Sequence, residues 1–169
     1  MRAEKNPVRL VELFEKLYRQ DECYRFLMVG KGELSDEVEA KIDECALRDA
    51  VKIIRQVPNE QIWELYRIAD CYVNYCATEI FGMAILEAMY YECSVVAFRA
   101  PGPDIIIKDA QTGYLCDTEE MLLERMRDAG SKEIGQQAHR HVEDDFMWDR
   151  SAAEILDIVE RHARDHTGR

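Results

Sequence analysis

The sequence is poor in positive charge. Its 169 residues include 22 Lys and Arg against 34 Asp and Glu, which gives a net charge of −12 with histidine neutral. A surface this acidic repels phosphate backbones, and no segment collects basic residues into the stripe that nucleic-acid binding requires. We therefore expect no nucleic-acid partner.

Long apolar segments are absent as well. No uninterrupted apolar run is longer than that of residues 83–86, whereas a membrane-spanning helix needs about 18 apolar residues or more. The N-terminus also lacks the apolar segment of a signal peptide. The sequence therefore predicts no membrane span within this chain.

Patterns typical of metal sites and disulfide frameworks are missing. The six cysteines form no Cys-x-x-Cys pair, and several lie in apolar, strand-like segments where a thiol behaves as a small hydrophobic group. This usage favours free thiols and a reducing cytoplasm. His139, His141, His162 and His166 all lie in the C-terminal third, far along the chain from the nearest cysteine. We therefore expect no metal site.

The composition is that of a globular domain. Apolar residues make up 47% of the chain and charged residues 33%, a balance that excludes the common disordered and fibrous classes. A chain of this length buries enough surface to fold without disulfides or metal. We expect a single domain over residues 1–169.

Helical and strand-like patterns alternate along the chain. Helices are predicted at residues 7–20, 35–47, 59–69, 81–91, 118–128, 131–146 and 149–165, with a short helical turn at 104–107. Strands are predicted at residues 25–29, 51–54, 71–75, 94–98 and 113–116. Ser35 is expected to open the second helix, Asn59 is an expected N-cap, and the Pro-rich run 100–103 is expected to break the chain.

The strands are apolar throughout, which is typical of a parallel sheet covered on both faces. The fold class predicted is α/β, a Rossmann-like doubly wound parallel sheet with extra C-terminal helices. In such a sheet the ligand binds at the carboxyl ends of the strands, where helix N-termini present free N–H groups to anions. The functional site is therefore expected at that edge.

One loop-to-helix entrance carries the strongest site signal. Gly82 allows close approach of a ligand, and the backbone amides of Gly82, Met83 and Ala84 have no partners inside the helix that they open. Glu79 precedes this helix and Glu87 follows about two turns later. Two carboxylates suit sugar hydroxyls better than phosphate. Two alternatives stay open: Glu87 at the solvent edge of a core helix, and Glu79 as an ordinary partner of the helix dipole.

The same segment resembles the E-x7-E motif of the retaining glycosyltransferases of GT-B architecture known as glycosyl transferases group 1. Residues 79–87 match it, including the Phe81-Gly82 pair. Four further segments resemble that family's C-terminal domain in the same order, namely 26–32, 65–70, 86–89 and 112–115. The resemblance extends over nearly the whole chain and implies a C-terminal, nucleotide-sugar-binding half of a GT-B enzyme.

The resemblance implies a role for each matched residue. Glu79 would contact hydroxyls of the transferred sugar, and Glu87 would bind the ribose. The backbone amides of Phe81, Gly82, Met83 and Ala84 would hold sugar and diphosphate oxygens.

Two further positions extend the implied site. Lys5 would neutralise the diphosphate, the alternative being a solvated terminal lysine. Val57 matches the position whose backbone borders the base, although Arg55 stands where the family has glycine.

The chain also departs from the family pattern. Family members carry a strand ending in Gly-Arg before the segment matched by Glu4 and Lys5, together with an N-terminal acceptor domain that contributes a histidine near the anomeric carbon. We expect an excised domain or a natural half that needs a partner. Losing the strand would leave open backbone groups beside residues 25–29, so the amino-terminal residues could be shifted, swapped or disordered.

These implications define the expected function. The leading hypothesis is the donor-binding domain of an enzyme that moves a hexose from a nucleoside-diphosphate sugar to a hydroxyl acceptor with retention. No cofactor or metal is expected, and the isolated domain should be inactive. Glu79 could also act as a catalytic nucleophile, although the resemblance favours a donor contact.

Other functions remain open. One alternative is a non-catalytic nucleotide-sugar-binding or interaction module that pairs with another chain. A sugar-nucleotide epimerase of the same architecture is disfavoured, because residues 79–82 match the transferases better. The expected location is the cytoplasm, with the missing domain able to bring the protein to the inner membrane face.

Overall fold

The computed structural model describes residues 1–167 of the chain. Its helices are α1 (Pro7–Tyr18), α2 (Ser35–Glu44), α3 (Ile62–Ile68), α4 (Met83–Tyr90), α5 (Pro101–Ile106), α6 (Glu119–Asp128), α7 (Lys132–Asp145) and α8 (Trp148–Thr167). Its strands are β1 (Phe26–Val29), β2 (Val51–Ile54), β3 (Cys71–Asn74), β4 (Ser94–Phe98) and β5 (Tyr114–Cys116). Short 3₁₀ turns lie at Ala3–Lys5 and Asn59–Gln61.

All strand pairs are parallel, as the sequence predicts for an α/β fold. The strands nevertheless form two separate sheets among the described residues, one of order β1-β2 and one of order β3-β4-β5. Met28 is in register with Ile53 in the first sheet, and Val73 with Val96 in the second. The prediction of a single sheet is therefore corrected. Among the described residues, no strand pairs with the edge of β1 away from β2 or with the edge of β3 away from β4.

Strand β4 shows that the larger sheet is covered on both faces. Val95 and Ala97 are fully buried in a cluster that includes Ile85 of α4. Val96, between them, is fully buried in a different cluster with Leu122 of α6. Since successive side chains of a strand point to opposite faces, α4 and α6 cover opposite sides of this sheet. The Rossmann-like, doubly wound prediction is confirmed.

The smaller sheet has its own core. Phe14 of α1 and Val38 and Ile42 of α2 are buried against Met28 and Val51 of the two strands. The strands themselves are less enclosed: β1 has one buried residue, and β4 has four. The helices therefore enclose the strands of this half less completely than those of the larger sheet.

An ion-pair network links the two halves. Arg9 of α1 donates to both carboxylate oxygens of Glu119 at the start of α6, one of them through Nε at 2.6 Å. Tyr75, just after β3, donates its hydroxyl to the same carboxylate at 2.6 Å. Arg9 first, and then Tyr75, lower the pKa of Glu119 to about 2. The group is therefore ionised at neutral pH.

Two local predictions are wrong at helix starts. Asn59 follows Pro58 and opens a tight 3₁₀ turn, so α3 begins three residues later without a side-chain cap. Pro101 does not break the chain but begins α5, since a proline at the first helical position forfeits no hydrogen bond. Ser35 does open α2, and its hydroxyl accepts from the Gly32 amide at 3.0 Å.

The last helix projects much of its surface into solvent. Its exposed apolar side chains are Trp148, Ile155, Leu156, Ile158 and Val159. In the part of the chain that the structure describes, no helix combines the length and the hydropathy that crossing a membrane requires.

Candidate functional site

The candidate site lies where β3 leads through a loop into α4. Gly82 has a φ of 95°, a left-handed conformation that favours glycine, and it precedes α4 with no side-chain cap. Among the described residues, no acceptor meets the backbone amides of Gly82, Met83 or Ala84. Met83 is 60% exposed, whereas Gly82 is buried. The start of α4 therefore presents free N–H groups.

Gly102, in the first turn of α5, holds this loop in place. Its amide donates to the backbone carbonyl of Glu79 at 2.9 Å. A Cβ built at position 102 would overlap the backbone of Phe81. Only glycine therefore lets α5 approach the loop this closely. Gly102 was not predicted from the sequence, although its place between Pro101 and Pro103 was an available signal.

Three groups converge on the carboxylate of Glu79. Lys5 forms an ion pair with it, the side-chain amide of Asn74 donates to it at 3.3 Å, and the Phe81 amide donates as well. These bonds, led by that of Lys5, hold the pKa of Glu79 below its usual value against the opposing effect of burial. Lys5 is therefore not a fully solvated terminal lysine, and Glu79 is ionised.

Asn74 is a site residue that sequence reasoning missed. It ends β3, is only 4% exposed, and its Oδ1 has no hydrogen-bond partner in the described part of the chain. A buried, unpartnered acceptor costs about 1–3 kcal/mol, so a donor from a ligand or another chain would relieve it. A polar residue at the end of an otherwise apolar strand was the available signal.

Glu87 lies on the second turn of α4 and is half-buried. The Tyr66 hydroxyl donates to its Oε2 at 3.1 Å. Burial, followed by the neighbouring Tyr72 and Glu87, raises the pKa of Tyr66, so this hydroxyl stays protonated. Glu87 is therefore held by a partner rather than free at the solvent edge, and the positioning role of Tyr66 was not foreseen.

The structure brings some of the predicted residues together and not others. Lys5 and Glu79 are in contact at the start of α4. Lys5, Ala84 and Glu87 all line one groove, whereas Val57 lies in the loop after β2 outside that lining. A role for Val57 stays a prediction. Within residues 1–167, no cluster of His, Cys, Asp and Glu forms a metal-binding group.

Comparison with known proteins identifies the family. The family model described as "Glycosyl transferases group 1" matches residues 1–144. The chain belongs to this family. A curated relative, "Glycosyltransferase 1 domain-containing protein 1" of Xenopus tropicalis, is 27% identical over 157 residues, which cover 88% of this chain and 45% of that protein. The chain thus spans less than half the length of this group 1 relative.

Two solved structures share the fold. The C-terminal domain of a glycosyl transferase group 1 family protein (LpcC) from Francisella tularensis superposes with a TM-score of 0.77 at 22% identity, covering 88% of this chain and 83% of that one. Anabaena HepE, solved with UDP-glucose, has a TM-score of 0.80 at 19% identity and covers 95% of this chain and 46% of HepE. These likenesses establish the fold.

Proposed function

We propose that this chain is the donor-binding domain of a glycosyltransferase that moves a hexose from a nucleoside-diphosphate sugar to a hydroxyl acceptor with retention. The observation that carries the proposal is the set of unpartnered amides at the start of α4, framed by Lys5 and Glu79. Such amides bind anionic oxygens, and the dipole of the helix favours negative charge at its N-terminus. A diphosphate fits this position.

The charges around the loop support a particular set of donor contacts. Lys5 lies beside the amides through its ion pair with Glu79, and its positive charge offsets that of a bound diphosphate. Glu79 is ionised and accepts hydrogen bonds, so it suits sugar hydroxyls. Glu87, oriented by Tyr66, suits the two hydroxyls of a ribose. The donor would therefore lie along α4 from its first to its second turn.

The proposed reaction exchanges one bond at the anomeric carbon for another. The bond from that carbon to the diphosphate oxygen breaks, and the acceptor oxygen bonds to the same face of the sugar while its proton passes to the leaving diphosphate. Lys5 and the amides of Gly82, Met83 and Ala84 stabilise the charge that develops on the diphosphate, which is often the largest contribution to such catalysis. This scheme requires no cofactor.

The acceptor site and the other half of the enzyme belong to a separate part of the protein in this proposal. We therefore expect the isolated chain to bind a donor without transferring sugar, in the cytoplasm. Transfer or hydrolysis above a protein-free blank would contradict the need for a second half.

Calorimetric titration of UDP, GDP and ADP, each with and without a hexose, tests donor binding directly. Glu87→Gln should weaken free nucleotide and nucleotide sugar alike, whereas Glu79→Gln should weaken only the sugar-bearing ligand. Glu120→Gln, at an exposed position on α6, is the charge-matched control and should change neither. A folded sample that gives no heat with any of the ligands would remove the proposal.

A non-catalytic nucleotide-sugar-binding or interaction module is the second candidate. The pairing of Lys5 with Glu79 favours it, because each group already satisfies the other without a donor. The two candidates separate when the remaining half of a group 1 transferase is added: transfer supports the first, and donor binding without transfer supports the second.

A further inference from the structure

A buried histidine joins α7 to the end of α5. His141 of α7 is only 8% exposed, and its Nε2 lies 3.1 Å from the backbone oxygen of Ile106, the last residue of α5. A carbonyl oxygen only accepts hydrogen bonds, so Nε2 carries a proton and is the donor. The last carbonyls of a helix have no partner inside that helix. His141 therefore satisfies one of them and ties α5 to α7.

The other ring nitrogen of His141 faces a carboxylate. Its Nδ1 lies 2.8 Å from Oδ2 of Asp145, the last residue of α7. Within residues 1–167 this nitrogen is buried and has no hydrogen-bond partner. A neutral imidazole has one N–H, which Nε2 uses, so the lone pair of Nδ1 faces an acceptor. A second proton would turn this contact into a charge-assisted hydrogen bond.

Two cations keep Asp145 ionised. Arg150, near the start of α8, pairs with its Oδ1, and Lys108, just after α5, lies 3.6 Å from its Oδ2. Partial burial raises the pKa of Asp145, but Arg150, followed by His141 and Lys108, outweighs burial and holds the pKa below its usual value. The carboxylate is therefore only an acceptor near neutral pH, and it needs the proton of His141.

The other surroundings of His141 add no further charge to this contact. The ring of Phe146 meets the imidazole edge-on, with the two centroids 5.3 Å apart. The buried residues that α4 and β4 contribute to the adjoining cluster are apolar. His139, two positions away on α7, pairs with Glu143 instead. Protonation of His141 therefore depends mainly on the carboxylate of Asp145.

The short helix α5 connects His141 to the loop of the candidate site. Its six residues span about 9 Å. In its first turn the Gly102 amide donates to the carbonyl of Glu79 at 2.9 Å, and the backbone of Phe81 leaves no space for a Cβ. A helix of fewer than two turns moves as one unit, so a shift at its last residue is passed to its first turn. The position of the loop therefore depends on the contact at His141.

We propose that His141 is a positioning residue for the donor site, which fixes α5 when it is protonated and thereby fixes the backbone of Glu79 and Phe81. Histidine changes charge near neutral pH, so this contact should be strong at pH 6 and weak at pH 8. Affinity for a nucleotide sugar should follow the same trend. The identity of the ligand rests on the proposed function, whereas the link from His141 to Gly102 rests on the contacts alone.

Nitrogen NMR of the imidazole rings reads the proton directly. At pH 5.5 the ring of His141 should carry N–H groups on both nitrogens, and at pH 8 on Nε2 alone. His141→Gln, which lacks the signal, assigns it. A ring that stays neutral at pH 5.5, that stays charged at pH 8, or that carries its single proton on Nδ1 would overturn the proposal.

Hydrogen exchange tests the link to the loop without any ligand. After correction for the intrinsic exchange rate, the protection of the Gly102 amide should fall at least about threefold between pH 6 and pH 8. The Phe26 amide, bonded to Ala50 in the other sheet, is the control and should keep its protection within about twofold. Unchanged protection at Gly102, or an equal fall at Phe26, would contradict the link.

Matched variants separate the charge of His141 from its packing. His141→Gln keeps an N–H donor for Ile106 but does not titrate, His141→Leu keeps an apolar volume without a donor, and His139→Gln removes a titrating group from another face of α7.

Calorimetric titration of UDP-glucose, GDP-glucose and ADP-glucose at pH 6 and pH 8 compares these variants. The probes lack the terminal phosphate that titrates at about pH 6 in a free nucleotide. The unmodified chain and His139→Gln should bind about fivefold more weakly at pH 8, and His141→Gln should bind within about twofold of one value at both. His141→Leu should bind more weakly than His141→Gln at either pH. An unchanged pH profile in His141→Gln would overturn the proposal, and this holds whether or not His141→Leu folds.

The proposed function and this inference fail separately. No heat from any nucleotide sugar, with the expected NMR and exchange results, would refute donor binding and keep His141 as the residue that positions the loop. Donor binding of equal affinity at pH 6 and pH 8 in the unmodified chain would do the reverse.

Discussion

The two halves of this domain use the same parallel strands but enclose them differently. In the half built on β3, β4 and β5, Val95, Val96 and Ala97 are fully buried. In the half built on β1 and β2, each strand has one buried residue, Met28 in β1 and Val51 in β2, and Val29 is 43% exposed. The difference lies in the neighbours, since β4 pairs on both edges and β1 on one. Stability is therefore concentrated in the first half.

The largest expected effect compares a core residue with an edge residue. Leu122→Ala, at a fully buried position under β4, should reduce the free energy of unfolding by about 2–5 kcal/mol. Val29→Ala, on the open edge, should change it by about 0.5 kcal/mol or less. Urea unfolding measures both. Similar losses would mean that this edge of β1 is covered in solution.

The next effect concerns the close contact between α5 and the site loop. Gly102→Ala inserts a methyl group against the backbone of Phe81, so it should cost about 1–3 kcal/mol of unfolding free energy. It should also weaken nucleotide-sugar binding, because the loop that carries Glu79 must move. Ile105→Ala, at a 70% exposed position of the same helix, is the control. A variant with unchanged donor affinity would show that the loop is positioned without Gly102.

A smaller effect is expected at the second turn of α4. Tyr66→Phe removes the hydroxyl that donates to Glu87, and one such bond contributes about 0.5–1.5 kcal/mol. Calorimetry should therefore find UDP binding roughly three- to tenfold weaker. Tyr72→Phe keeps the contact between the two rings, whose centroids are 5.9 Å apart, and should bind UDP normally. Equal losses in the two variants would assign the effect to packing.

The smallest effect is a dependence of stability on pH. Arg9 and Tyr75 lower the pKa of Glu119 to about 2 from an ordinary value of 4.5. The stabilisation is therefore present above about pH 4.5 and is lost as the pH falls toward 2. Because Arg9 is partly exposed, solvent screening limits the effect to about 1 kcal/mol. Chemical unfolding between pH 5 and pH 2 measures it, and Glu119→Gln should show a shallower slope.

The features that were best predicted from the sequence are those set by residues close together along the chain. The apolar period located every strand and helix, with ends that shift by a few residues. Gly82 and the apolar stretch that follows it indicated the entrance to α4, because a glycine turn and a helix start are local features. The side-chain contacts within the site were harder to predict from the sequence. Lys5 meets Glu79 from 74 positions away, and Tyr66 meets Glu87 from 21 positions away.

The amino-acid sequence by itself determined the order of elements, the parallel α/β class and the family, since periodicity, glycine positions and short motifs act locally. Tertiary structure alone decided that Asn74 and Lys5 share one carboxylate, that Gly102 supports the loop, and that the strands form two sheets. These features depend on how close distant backbones approach and on which strand edges have partners. The pattern of side chains along one chain records neither the approach of distant backbones nor the partners of strand edges.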